Sequence, residues 1–255
     1  MGCITKQCIR HFTSCPFRDV AALHFAAKRP AYKLRLIAAL YQKSRALVQI
    51  EFHMQIEKIL SKTLSDVGNT FEENELAYLA LTTKIELPIR DKWAFTLHNK
   101  LQEKYTVARE WKRTDLAVLV GSIPEVLIEL KAMYSFDAAL GEQGGKRFTD
   151  RMHADQLKAK KISSDHTEIY TVLLSTHPKC HIDKSMYGIV KYSNYINRAF
   201  KEIGNESSIR EKCNLGILRN LNDKKVLGHG EISGGQAFGV EVVVSYWLFK
   251  EKYKV

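Results

Sequence analysis

The sequence predicts a mixed α/β fold, a central sheet flanked by helices on both faces. Three observations predict it. Asp115 to Lys131 reads as a β-hairpin, helix-spaced apolar patterns lie before and after it, and Thr167 to Thr176 and Phe238 to Phe249 are nearly continuous apolar runs of strand length. The 255 residues, 45% of them hydrophobic, supply one sizeable core, or a core with an appendage.

The elements follow in order. Residues 54 to 66 are helix-spaced through Ile56, Ile59, Leu60 and Leu64. Asn74 is placed to cap a helix running through Leu76, Leu79 and Leu81. A further helix starts near Pro88, with Ile89, Trp93, Leu97 and Leu101 on one face and Glu86 at its N-terminal edge. Tyr105 to Lys112, Asp115 to Val120 and Glu125 to Met133 read as three strands. Gly144 to Lys161 reads as a helix with a basic outer face. Thr167 to Thr176 reads as a buried strand, Tyr187 to Ile203 and Ser208 to Leu221 as helices, and Phe238 to Phe249 as a final strand. The glycines from Gly228 to Gly239, including Gly228-His229-Gly230 and Gly234-Gly235, read as turns. They lack the lysine and following helix of a phosphate loop.

Charge is unevenly spread. The chain carries +11, but residues 1–50 hold nine Lys or Arg against Asp19 alone, a balance of +8 that leaves +3 for the rest. Residues 1–53 therefore read as a basic N-terminal extension. They are a weakly structured segment with the true start at Met54, a nucleic-acid-binding arm, or a targeting peptide. Residues 54–255 read as one domain, with its core at about 80–180 and C-terminal helices and strand at 187–255. Five irregularly spaced cysteines suit a reducing cytoplasm, and no apolar stretch is long enough to span a membrane.

The chemistry concentrates in the hairpin. With Gly121-Ser122-Ile123-Pro124 as the turn, Ala117 faces Leu127 and Asp115 faces Glu129, whose Cβ atoms then lie roughly 5 Å apart. Lys131, two residues on, shares their face. Leu116, Val118, Val120, Val126, Ile128 and Leu130 form the other, wholly apolar face. A one-residue slip would drive all three charges into that core, so the apolar pattern fixes the register. Two opposed carboxylates repel, and a hard divalent cation such as Mg²⁺ relieves the repulsion better than Lys131 alone. The blander alternative, an exposed Glu129–Lys131 ion pair, leaves three charges in an apolar hairpin unexplained.

Asp115 followed by Glu129-Leu130-Lys131, with a helix before and a helix and strand after, resembles the PD-(D/E)XK nuclease superfamily, the restriction-endonuclease-like fold. The resemblance covers about residues 80–180 in order and spacing, and within the superfamily it is nearest to uncharacterised bacterial restriction-like proteins. Thr114 stands where the motif's proline would be. The resemblance implies metal-dependent hydrolysis of phosphodiester bonds, in DNA by preference, of a restriction or defence type. It implies Asp115 and Glu129 as ligands of Mg²⁺ (Mn²⁺ substituting), with the Leu130 carbonyl as a further ligand. Lys131 then orients the attacking water and stabilises charge at the phosphate, and Glu86 is preferred over Glu75 as an additional acid from the preceding helix. It also makes a homodimer an expected arrangement. The competing readings are a catalytically inactive nucleic-acid-binding module and a regulatory or assembly protein whose basic arm binds nucleic acid; fold alone does not choose among them.

Three other groups have weaker claims. His177, Cys180 and His181 offer three zinc-type ligands in a loop. Lys158, Lys160 and Lys161 are either phosphate contacts or a solvated helix face, and Asp155 pairs locally with Lys158. Trp111 and Lys112 either line a groove or, for Trp111, pack in the core.

Overall fold

The structure, a computed structural model, describes residues 39–40, 55–141, 143–221 and 224–250; all but 39, 40 and 55 belong to the second of two compact units, Ile56–Val255. The readings of residues 1–53 and of a start at Met54 lie outside the described residues, apart from Ala39 and Leu40, which are helical and exposed. The second unit opens with helix α1 (55–66), α2 (Glu75–Thr82) and α3 (Glu86–Lys100). Strands β1 (Tyr105–Trp111), β2 (Thr114–Val120) and β3 (Ile123–Tyr134) follow, then α4 (Ser135–Ala139), α5 (Lys146–Ile162) and β4 (Glu168–Pro178). The unit closes with α6 (Ser193–Ile203), α7 (Glu206–Asn220), β5 (Lys225–Ala237) and β6 (Val240–Lys250).

The strands form one six-stranded mixed sheet in the order β1-β2-β3-β4-β6-β5. β3 and β4 pair in parallel and every other neighbour is antiparallel, because α4 and α5 make the crossover that a parallel pair requires. Helices cover both faces. On one, α5 and α7 bury Met152, Cys213 and Ile217 against Met133, Leu173, Trp247 and Phe249, while Ala159 of α5 packs on Ala117, Leu127 and Ile169. On the other, Tyr134 donates its hydroxyl to the Ala80 carbonyl of α2 at 2.8 Å. Trp93, fully buried on α3, donates its indole N–H to Thr63 Oγ1 on α1 at 2.9 Å, so its one polar atom is satisfied. Among the described residues no helix is long and apolar enough to cross a membrane.

The hairpin keeps the register that the apolar pattern demands: Leu116 pairs with Ile128, Ala117 with Leu127 and Val118 with Val126. A bulge between Val118 and Leu119 then shifts the turn end. The expected apolar face is buried except at Val120, which lies beside the turn and is exposed.

Four local readings change. Asn74 precedes α2 in a left-handed conformation and makes no side-chain cap; its Oδ1 accepts from Gln236 N–H at 2.7 Å, tying α2 to β5. Pro88 lies within the first turn of α3, which starts at Glu86. The helix read from Tyr187 begins at Ser193, and the five-residue α4 carried too little pattern to be seen. The glycine-rich 228–239 segment is mostly strand, since β5 runs to Ala237. A Cβ on Gly230 would lie 2.6 Å from the Tyr246 hydroxyl, and one on Gly228 2.8 Å from Ser61 Oγ, so these glycines admit close neighbours rather than make turns. Gly230→Val is accordingly expected to lower stability by about 1–3 kcal/mol, read from the denaturant midpoint, as the Tyr246 ring is forced aside. An unchanged midpoint contradicts this packing.

Candidate active site

β3 is longer than the strand beside it. β2 begins at Thr114, while β3 continues to Tyr134 paired only with β4 on its other side. Alternate residues of a strand send their N–H groups to the same side, so Leu130, Ala132 and Tyr134 direct theirs towards the vacated edge. Three carboxylates take them. Asp115 Oδ2 accepts from Leu130 N–H at 2.8 Å, Glu86 Oε2 from Ala132 N–H at 3.0 Å, and Asp137 Oδ2 from Tyr134 N–H at 2.9 Å. One acid comes from β2, one from the start of α3 and one from α4, and together they replace the missing strand.

Glu129 and Lys131 project from β3 on the face that α5 covers. Glu129 is only 5% exposed. Burial first, and then the charges of Asp115 and Asp155, push its pKa from the ordinary 4.5 up to about 8 despite the pull of Lys131; Asp115 is close enough to share a hydrogen bond with it. Lys131 donates to Asp155 Oδ2 at 2.7 Å and to the Leu130 carbonyl at 3.1 Å. Burial works against its charge, but Asp155, Glu86 and Asp115 outweigh burial and hold it more firmly protonated than a free lysine. Asp155 in turn, though burial opposes it, is kept below the usual carboxylate range by Lys131 and by Lys158, whose Nζ lies 2.7 Å away. Glu86 is raised, chiefly by burial. Behind Asp115 lies buried Arg90, 3.9 Å from Asp115 Oδ1 and 2.8 Å from Glu110.

All four side chains singled out in the sequence, Glu86, Asp115, Glu129 and Lys131, thus meet at one end of the hairpin, with the Leu130 carbonyl among them. Two partners were not expected. The sequence pairs Asp155 only with Lys158 along the helix, yet in the fold it also binds Lys131; the signal is its position as the single acid in the last three turns of an otherwise basic helix. Arg90 follows Glu86 by four residues and so shares its helix face, a spacing that would have found it. The Glu129–Lys131 ion pair of the blander reading does not form, because Lys131 pairs with Asp155 instead.

Beside these groups opens a cleft of about 580 Å³, walled by Glu86, Lys131 and Asp155 together with Lys84, Arg151 and Lys158. Asp115 and Glu129 are not part of its wall. Comparison with family models, curated proteins and solved structures finds no match, so the chemistry of the site has to be read from its own residues.

The other candidates resolve simply. His177 is buried, with Nδ1 2.9 Å from Ser135 Oγ and Nε2 3.2 Å from Glu206, and Cys180 Sγ contacts the Gly239 carbonyl; the zinc-type trio is not assembled. Among the described residues no group of three or more His, Cys, Asp or Glu side chains is arranged to hold a metal ion. Trp111 packs on the Ala117–Leu127 cluster with the Lys112 ammonium 4.4 Å from its ring centroid.

Glu129 ionises near 4.5 in the unfolded chain and only near 8 in the folded one, so folding favours its protonated form. That contribution is complete below the unfolded value and is lost as pH rises through the folded value. Thermal melts in EDTA should therefore show wild type losing stability from about pH 5 to pH 8 relative to Glu129→Gln. Parallel pH profiles for the two proteins would remove the argument.

Proposed function

We propose that this chain is a metal-dependent nuclease of the PD-(D/E)XK, restriction-endonuclease-like kind, hydrolysing phosphodiester bonds in DNA. The observation that carries the reading is the pairing of buried Glu129 with part-buried Asp115 beside a lysine held charged, all at the end of one hairpin. The surrounding order supports it: a helix, three antiparallel strands, a crossover helix and a strand parallel to the third.

The donor set suits a hard cation. Asp115 and Glu129 supply carboxylate oxygens, and the Leu130 carbonyl follows Glu129 directly in sequence and lies beside Lys131 in space. Mg²⁺ is commonly held by one or two carboxylates and keeps several waters, so a two-acid site needs no third acid cage. An ion there would offset the burial, and after it the acid repulsion, that otherwise favour the protonated form of Glu129. When bound, Mg²⁺ or Mn²⁺ supplies charge neutralisation at the phosphate and acidifies water.

The chain's own groups do the rest. Asp155 fixes the Lys131 ammonium at the cleft wall, where it orients water and stabilises charge developing on phosphate oxygens. Glu86 has one oxygen anchored on Ala132 N–H, which leaves the other to accept a hydrogen bond from water in the cleft. Lys84, Arg151 and Lys158 line the same wall and attract a phosphate backbone.

The test is a cleavage assay on supercoiled plasmid, linear duplex and single strands with Mg²⁺, Mn²⁺ or EDTA. Metal-dependent cutting is expected, reduced by roughly 10²–10³ in Lys131→Ala and in Glu129→Ala with their folds intact. Cutting that persists in EDTA, or that either variant retains, sinks the assignment. So does a well-folded wild type that binds DNA and never cuts it.

A further inference from the structure

A second cleft, of about 490 Å³, adjoins the first. The two share Lys84, Ala132, Phe148 and Arg151 as walls, so they are lobes of one groove. Along β3, Lys131 faces the first lobe and Met133 and Tyr134 the second, which separates them by roughly 7–10 Å of strand.

The second lobe has a different character. Its floor is a stack of aromatic rings: Tyr195 lies on Phe136 with centroids 5.6 Å apart and planes 17° from parallel, and Phe136 lies on Tyr134 at 5.3 Å and 16°. Tyr192 meets Tyr134 edge-on at 5.2 Å. Tyr134 and Phe136 are buried, whereas Tyr195 and Tyr192 present 53% and 38% of their surface. Tyr192 is held at φ 60°, a left-handed conformation that bulky residues seldom adopt, and its ring stands at this edge. Around the rings stand Lys84, Arg147 and Arg151, none of which forms an ion pair with another described residue, against Asp137 as the acid in the wall. Asp137 is itself committed to Tyr134 N–H.

Exposed rings backed by buried rings, with cations in the same wall and the proposed phosphodiester site next door, match an unpaired nucleotide. Its base has a face to stack and its phosphate needs a cation, whereas a base inside a duplex offers neither face. We infer that this lobe is a subsite for an unpaired nucleotide of a nucleic-acid strand, one or two positions from the phosphate held beside Lys131. Tyr195 stacks the base, Tyr192, inclined 67° to it, bounds the base's edge, and Arg147, Arg151 and Lys84 hold the adjoining phosphate. The substrate of the proposed nuclease is then a single strand or an unpaired end rather than an intact duplex. This inference rests on that reading for the neighbouring phosphate only, and the binding experiment separates the two because no cleavage is involved.

Fluorescence anisotropy on the full chain in EDTA would compare a labelled twelve-nucleotide oligothymidylate with a blunt duplex of equal length. Wild type should prefer the single strand. Tyr195→Ala should cut that preference by about tenfold, the scale of one lost base–aromatic stack, while Tyr195→Phe retains it. Matching melting curves identify the loss as one of binding. Equal affinity of wild type for strand and duplex overturns the inference, as does an unchanged preference in Tyr195→Ala. Displacement of the oligonucleotide by dTMP at matched nucleotide concentration also overturns it, by making the lobe a mononucleotide pocket.

Discussion

The N–H groups of Leu130, Ala132 and Tyr134 extend along β3 past the end of β2, and a half-buried strand edge cannot leave three donors unpaired without losing roughly 1–3 kcal/mol at each. Asp115, Glu86 and Asp137 accept them in turn, from three different elements. This edge dictates where α3 and α4 can start, since Glu86 and Asp137 both lie in the first turns of their helices. It also gathers acids beside the end of β2, where β3 runs on without it. A carboxylate bound to a backbone N–H through one oxygen keeps its second oxygen for other partners, so the same residues close the edge and furnish a site.

Charge balance decides what that site can hold. Glu86, Asp115, Glu129 and Asp155 gather around Lys131, and Lys158 and Arg90 flank the group. Asp155 and Lys131 satisfy one another directly, and Arg90 is engaged by Asp91 and Glu110. Glu129 is the group left over. It is buried, faces two other acids, and is lifted towards neutrality in consequence. A buried acid held in that condition beside a charged lysine is a poor stabilising device. The proposed nuclease would use it as a cation ligand, and this asymmetry is what separates the arrangement from an ordinary surface ion-pair network.

Much of this was legible in the chain because the hairpin obeys a simple rule. The period-2 alternation from Asp115 to Lys131 admits one register, and the ladder adopts it from Leu116↔Ile128 to Val118↔Val126. The direct opposition of Asp115 and Glu129 was a near miss. Past Leu116 the ladder ends, and the Asp115 side chain turns to the Leu130 N–H while remaining close to Glu129. β5 was illegible for a different reason. Its glycines read as turn signals, yet they are required by Tyr246 and Ser61 pressing on the strand, contacts that only the assembled sheet creates. The link from Lys131 to Asp155 joins β3 to a helix of the crossover that follows it, and the aromatic floor joins Tyr134 and Phe136 to Tyr192 and Tyr195 across more than fifty residues. No local pattern encodes such contacts.

The central claim is that the Asp115–Glu129 pair is completed by a divalent cation. Crystals soaked in Mn²⁺ and measured at the manganese absorption edge test it without recourse to activity. An anomalous peak coordinated by the carboxylates of Asp115 and Glu129 and the Leu130 carbonyl is expected, absent in Glu129→Gln. Manganese bound only elsewhere, or a peak that the substitution leaves in place, would contradict it.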